Sequence, residues 1–259
     1  MGSLGVSNTF TVGVLALQGA FNEHTQLLRS AAKLNPATEF TLLEVRTEKQ
    51  LAACDALIIP GGESTTISLI AERCNLLEPL RDFVKVQRKP TWGTCAGLIL
   101  LAESANRTKA GGQELIGGLD VRVNRNHFGR QTESFQADLN LGFLADPFRA
   151  IFIRAPIVET LLKVSDGAQE GEAQKPETVI APSKDVAAGI DPLIKKQPVE
   201  VLCRVPARSA TDNEAGDIVA VRQGNVFGTS FHPELTGDAR IHAWWLGEAV
   251  KTIETRKSS

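Results

Sequence analysis

Short apolar runs with little polar alternation, most broken at a glycine-bearing corner and followed by a helix-like stretch, constrain this chain most. Phe10 to Leu17 is the first run, ended by Gln18-Gly19. Ala20 to Lys33 then carries Phe21, Leu27, Leu28 and Ala31 at helical spacing. Phe40 to Val45 is a second run, and Asp55 to Pro60 a third that leads into Gly61-Gly62. Ser64 to Arg73 and Leu76 to Val86 have helical spacing, and Pro90 to Cys95 forms a fourth apolar approach before a helix-like run to Leu101. Strands without alternation are buried on both faces, so strands of this kind between helices predict an α/β protein with a mostly parallel, three-layer, doubly wound sheet. In such sheets the ligand site lies beyond the carboxyl ends of the strands. Gln18, Gly61-Gly62 and Cys95 all follow strands, so the rule gathers them at one edge.

The second half changes character. Leu119 to Arg125, Ser134 to Leu139, Ala150 to Arg154, Val199 to Val205, Asp217 to Arg222 and Val226 to Ser230 read as short β segments. Asp238 to Thr255 places Ile241, Trp244, Trp245, Ala249 and Ile253 on one face of a closing helix. Residues 163–198 are rich in Ala, Gly, Glu, Lys and Pro, and read as an exposed surface insertion. The expected organisation is one domain over 1–259, with a core of about 11–255.

Bulk properties exclude several classes. A net charge of −2, from 28 basic and 30 acidic residues, offers no basic field for nucleic acid or an anionic membrane. No apolar stretch approaches the ~20 residues of a membrane helix. Cys54, Cys74, Cys95 and Cys203 form no C-x-x-C pair, as suits a reducing compartment. No basic segment followed by an apolar core suggests a secretory signal, so a cytoplasmic location is expected. No group of His, Cys and carboxylates has metal spacing, and no glycine-rich phosphate loop or dinucleotide fingerprint occurs.

Cys95 sits on a strand-to-helix corner, where the N–H groups and dipole of the following helix favour the anionic sulfur. His232 and Glu234 end a strand-like run far downstream. On an extended chain, residues i and i+2 project to one side, so both can face one site. Thiolate, imidazole and an orienting carboxylate make a nucleophilic triad, recognised by role rather than chain order. Singly, each has a plainer explanation: a buried Cys, a core His, a surface Glu. His24 and His242, on the first and last helices, read as surface or satisfied groups.

Gly93-Thr94-Cys95-Ala96-Gly97 with Phe231-His232-Pro233-Glu234 resembles a class I glutamine amidotransferase. Leu17-Gln18-Gly19-Ala20, Gly61-Gly62-Glu63-Ser64-Thr65-Thr66, Arg125-Asn126-His127-Phe128-Gly129-Arg130-Gln131 and Phe152-Ile153-Arg154-Ala155-Pro156 resemble its vitamin B6 branch, the glutaminase subunits of pyridoxal 5'-phosphate synthase. The resemblance spans about residues 11–250 and implies a flavodoxin-like sheet with added antiparallel strands. It implies glutamine hydrolysis by Cys95, His232 and Glu234, and delivery of ammonia to a synthase (lyase) subunit as partner. It implies oxyanion donors at Gly62 and Ala96, and a glutamine site formed by Gly62, Glu63, Ser64, Arg125, Ile153 and Arg154. Gln18 corresponds to an interface residue that organises the oxyanion region when the partner docks. Ser64 also suits a helix cap. No cofactor is implied, because pyridoxal phosphate forms on the partner. Three rival readings stand beside it: a glutaminase of another pathway, which should lack the Gly-Gly-Glu-Ser-Thr-Thr string; a non-catalytic cysteine-elbow stress protein, whose histidine lies close to the thiol in sequence; and a regulatory pseudo-glutaminase, which the intact Cys, His and Glu argue against.

Overall fold

The computed structural model describes residues 9–106, 113–125, 134–164, 169–185, 187, 197–206 and 215–258. Its strands are β1 (Thr9–Leu15), β2 (Glu39–Val45), β3 (Ala56–Ile59), β4 (Thr91–Thr94), β5 (Ala102–Asn106), β6 (Leu119–Asn124), β7 (Phe135–Leu139), β8 (Phe148–Phe152), β9 (Ile157–Leu161), β10 (Thr178–Ile180), β11 (Glu200–Val205), β12 (Asp217–Gln223) and β13 (Val226–Thr229). The helices are α1 (Phe21–Lys33), α2 (Glu48–Ala52), α3 (Ser64–Arg73), α4 (Leu77–Arg81), α5 (Ala96–Leu101), α6 (Glu170–Ala173) and α7 (Arg240–Ser258).

Five strands in the order β2-β1-β3-β4-β13 run parallel, with Val14 beside Ile58, Ile58 beside Trp92, and Gly93 beside Gly228. Beyond β13 the sheet continues through β12, β9 and β6 in antiparallel pairings, then β5 parallel to β6, with β10 antiparallel at the edge. β11 pairs with β12, and β7 with β8 makes a separate two-stranded ribbon. The chain steps outward from β1 to β2, then returns to build β3 and β4 on the other side of β1. That reversal opens a crevice at the carboxyl ends of β1 and β3. Gln18 follows β1, Gly61 follows β3, Cys95 follows β4 and His232 follows β13, so one edge carries them all.

Alternation along the central strands builds two cores. Leu57 and Ile59 of β3 face Ile67, Leu80, Leu98 and Leu101 on one side. Ala56 and Ile58 face Leu28, Ala31, Trp245 and Leu246 on the other. Successive strand residues point to opposite faces, so one short apolar strand feeds both layers. Burying such side chains contributes roughly 1.5–3 kcal/mol each before the entropy of ordering them is counted.

Three expectations need correction. Leu76 to Val86 is not one α-helix: after α4 the chain widens into a π-helical turn over Asp82–Val86, with Gln87 N donating to Asp82 O at 2.7 Å. Helical periodicity cannot distinguish these, since both bury one stripe. β5, β9 and β10 were not expected. β5 reuses the end of the apolar run that forms α5, and β10 lies inside residues 163–198. That segment is not simply an exposed insertion in its described part. Thr178–Ile180 pair with β5, Ala181 is fully buried, and Glu172 accepts from Arg122 at 2.8 Å and from Ser104 at 2.9 Å. Low apolar content hid it, because a sheet edge is held by backbone bonds and ion pairs as much as by large side chains.

Candidate active site

The corner between β4 and α5 is built by close backbone contact. A Cβ on Gly97 would lie 2.1 Å from the Ile59 carbonyl oxygen, and one on Gly93 would lie 2.4 Å from the Gly97 carbonyl carbon. Only glycine lets α5 sit this near β3 and β4. The chain then turns through Cys95 at φ 47° and ψ −99°. A side chain other than glycine at positive φ costs of order 1–3 kcal/mol, held here by the surrounding packing. The Cys95 amide donates to Thr229 O at 2.8 Å, which fastens the corner to β13.

His232 arrives from the other direction. Its amide donates to Ile151 O of β8 at 2.8 Å, and its Nδ1 lies 2.7 Å from Glu234 Oε1. Glu234 belongs to a 3₁₀ turn over Pro233–Leu235 rather than an extended strand, yet its carboxylate still meets the imidazole. The Cys95 side chain lines the same cavity as this ring. Burial works against a charged imidazole here, but the hydrogen bonds and attraction of Cys95 and Glu234 outweigh it, and the ring is pushed up to about 10. A Cβ on Gly61 would lie 2.4 Å from His232 Cε1, so glycine at 61 is what admits the ring.

These groups open on a cavity of about 410 Å³. Of the residues picked out by sequence, Gln18, Gly62, Glu63, Ser64 and Cys95 line it, as do Arg125, Ile153, Arg154 and His232. Ala96 and Glu234 stand behind the lining, both buried. Ile99 also lines it and was missed, since an apolar residue in a helix carries no chemical signal. Asn126 to Gln131, the rest of the string beginning at Arg125, lie outside the described residues.

Glu63 rather than Ser64 caps α3. Its carboxylate accepts from Thr65 N at 3.1 Å and from Thr66 N at 2.7 Å. Burial would raise this carboxyl, but the donors of Thr66 and Thr65 outweigh it and hold it below the usual range. The Ser64 hydroxyl is thereby left for other work: it accepts from Arg125 Nη2 at 2.7 Å and donates to Gln113 Oε1 at 3.2 Å. Arg125 is buried, which lowers its pKa, with Glu63 opposing. Gln18 Oε1 accepts from Glu63 N at 2.9 Å, and Gly61 O accepts from Ala20 N at 3.0 Å. The loop after β3 is therefore clamped to the loop after β1. A thiol, a basic imidazole backed by a carboxylate, and a cavity with a guanidinium and a carboxylate at its wall suit nucleophilic attack on an amide of a zwitterionic amino acid.

Comparison with known proteins agrees with this chemistry. The profile of the SNO glutamine amidotransferase family matches residues 14–187 and 188–251. The chain belongs to that family. Within the SNO family, it is 44% identical over 255 residues to the probable pyridoxal 5'-phosphate synthase subunit PDX2 of Arabidopsis thaliana, covering 96% of this chain and 89% of that one. It is 41% identical over 238 residues to pyridoxal 5'-phosphate synthase subunit PdxT of Herpetosiphon aurantiacus, covering 92% of this chain and 99% of that one. A crystal structure of a glutamine amidotransferase superposes with a TM-score of 0.64 at 36% identity, covering 92% of this chain and 98% of the other. The SNO fold thus matches the expected mostly parallel sheet with added antiparallel strands.

His24 and His242 correct the sequence reading that allowed them to be surface groups: both are fully buried. They lie behind Glu234, with His24 Nε2 3.3 Å from Glu234 Oε2. Nothing local in the sequence brings together two helices 218 positions apart.

Proposed function

We propose that this chain hydrolyses L-glutamine to L-glutamate and ammonia as the glutaminase subunit of a pyridoxal 5'-phosphate synthase, with Cys95, His232 and Glu234 as its catalytic residues. The observation that carries the reading is the position of His232, hydrogen-bonded to Glu234 on one side and sharing the wall of one cavity with Cys95 on the other. The names of the PDX2 and PdxT relatives support the choice of pathway.

In this reaction the Cys95 sulfur forms a bond to the side-chain carbonyl carbon of glutamine, and the carbonyl pair moves onto oxygen. Donors aimed at that oxyanion are worth several kcal/mol of barrier, and the backbone N–H groups of Gly62 and Ala96 fill this role. As the tetrahedral carbon collapses, the C–N bond breaks and protonated His232 gives its proton to the departing ammonia. Once the sulfur is bonded to carbon it no longer attracts the ring's proton, so the charged ring becomes a readier donor. Neutral His232 then takes a proton from water as it attacks the thioester, and glutamate leaves with Cys95 restored. Glu234 fixes the imidazole and stabilises its charged form. Arg125 and Arg154 face the carboxylate of glutamine and Glu63 its ammonium, with Ser64 and Ile153 completing the pocket. Ammonia passes to a synthase partner in the cytoplasm, and no cofactor takes part in the hydrolysis.

The test is glutamate production from glutamine with and without a candidate synthase subunit. Hydrolysis should occur in the complex and vanish in Cys95→Ala, with the variant still folded. Undiminished turnover in Cys95→Ala would remove the thiol from the mechanism.

A further inference from the structure

Glu234 is a fully buried carboxylate with only one of its oxygens committed to His232. Its other oxygen, Oε2, has no aligned hydrogen bond among the described residues. A buried carboxylate left with one partner is costly and has no reason to hold its orientation. What Oε2 faces is the ring of His24, on α1, with Nε2 at 3.3 Å. The same Nε2 lies 3.1 Å from Thr94 Oγ1, one residue before Cys95. On the far side, His24 Nδ1 lies 2.9 Å from Nε2 of His242, on α7. Trp92 packs edge-on against both rings, with its own N–H committed to Thr229 Oγ1 at 3.1 Å.

The protons in this chain follow from electrostatics. Burial, with His242 and His232 adding to it, holds His24 well below the usual histidine range; burial pushes His242 down to about 3, with Asp238 opposing. Both rings are therefore neutral and carry one N–H each. A ring nitrogen facing a carboxylate must be the protonated one, because a lone pair there would repel it. His24 Nε2–H is then shared between Thr94 Oγ1 and Glu234 Oε2, which leaves His24 Nδ1 as an acceptor. His242 supplies the matching Nε2–H. Its own Nδ1, unpaired among the described residues, is then a bare acceptor rather than an orphaned N–H, the less costly of the two.

We infer that His24 is a positioning residue for the proposed glutaminase reaction: held by His242 in its Nε2–H tautomer, it aims and stabilises the Glu234 carboxylate that orients His232. The inference rests on that reading for its kinetic effect, but the tautomer itself is independent of it. The other titratable groups around the carboxylate are His232 and, through it, Cys95, with Asp238 beyond His242.

Two measurements test it. In nitrogen-labelled wild-type protein, two-bond ¹H–¹⁵N correlations should show His24 neutral with its proton on Nε2; a proton on Nδ1 would overturn the inference whether or not the chain is a glutaminase. In complex with the synthase partner, His24→Leu should lower kcat on the order of ten- to a hundred-fold with little change in KM, as for other partners that orient a catalytic group. Without the donor the carboxylate is held less firmly against His232, so the kcat/KM profile against pH should change along with kcat. His24→Gln, which places an N–H near the Nε2 position, should recover most of the rate and the profile. A folded His24→Leu with wild-type kcat and pH profile, or a His24→Gln as impaired as His24→Leu, would overturn the positioning role. Should neither variant fold, the tautomer decides.

Discussion

Cys95 concentrates the conflict between stability and chemistry in this chain. Its backbone is held at positive φ, which any side chain beyond glycine resists. Cys95→Gly should therefore melt above Cys95→Ala, by about 1 kcal/mol once glycine's greater unfolded-state freedom offsets part of the released strain. Both variants should be inactive, and equal melting temperatures would show the corner to be unstrained. His232 offers a second check. Its pKa is raised, so its charged form contributes stability that is complete below the unfolded value of ~6.5 and is lost as pH rises towards about 10. Ring nitrogen shifts should show His232 still protonated at pH 8 in the wild type, and deprotonating at lower pH in Cys95→Ala. A wild-type ring that is neutral at pH 8 would contradict the pairing. The juxtaposition of Cys95, His232 and Glu234 was legible in sequence only because a thiol at a glycine-flanked corner and a His-x-Glu strand end were read together, each having a plainer explanation alone. His24 and His242 were not, since their meaning depends on which helices pack together.

Elements show the same division. β1, β3 and β4, with the glycines that end or follow them, were plain from apolar runs alone, since a strand buried on both faces needs such a run. β10 was opaque because an edge strand of three residues is specified by its neighbour. Deleting residues 165–196 would remove α6 and β10, and with them the pairing to β5 and Glu172, the acceptor for Arg122 and Ser104. Lys85, itself buried, would also lose Pro182 O at 2.7 Å, keeping only Glu103. An unpaired strand edge and buried cations with fewer partners are each liabilities, though Lys85 keeps Glu103 and Arg122 keeps Glu159. The deletion should be aggregation-prone and melt well below the full chain in solubility and thermal scans. A soluble variant with an unchanged melt would show the segment to be dispensable.

The whole molecule brings four loops from four parallel strands to one rim, and the two that carry the proposed oxyanion donor and its neighbour are tied to each other. A Cβ on Gly62 would lie 2.5 Å from Gln18 Oε1, so the Gln18 side chain rests directly on this glycine while accepting from Glu63 N. Gly61 O is held by Ala20 N, and in a trans peptide the Gly62 N–H points opposite to that carbonyl. Any partner that grips the loop after β1 therefore acts on the Gly61–Gly62 peptide through the Ala20 N–Gly61 O bond and on the next peptide through Gln18 and Glu63 N, and glycines on both sides leave the Gly61–Gly62 peptide free to turn. Ammonia released without an acceptor is wasted, so a gate at this peptide is chemically economical. Loss of one oxyanion donor lowers kcat by roughly a hundred- to a thousand-fold, enough for an off state. Gln18→Ala should accordingly reduce turnover in the presence of the synthase partner more than it reduces the weak rate of the subunit alone. Steady-state glutaminase assays at saturating glutamine decide the point. Equal turnover with and without partner in the wild type would rule out gating at this rim, and an equal fractional loss in both states would remove Gln18 from it.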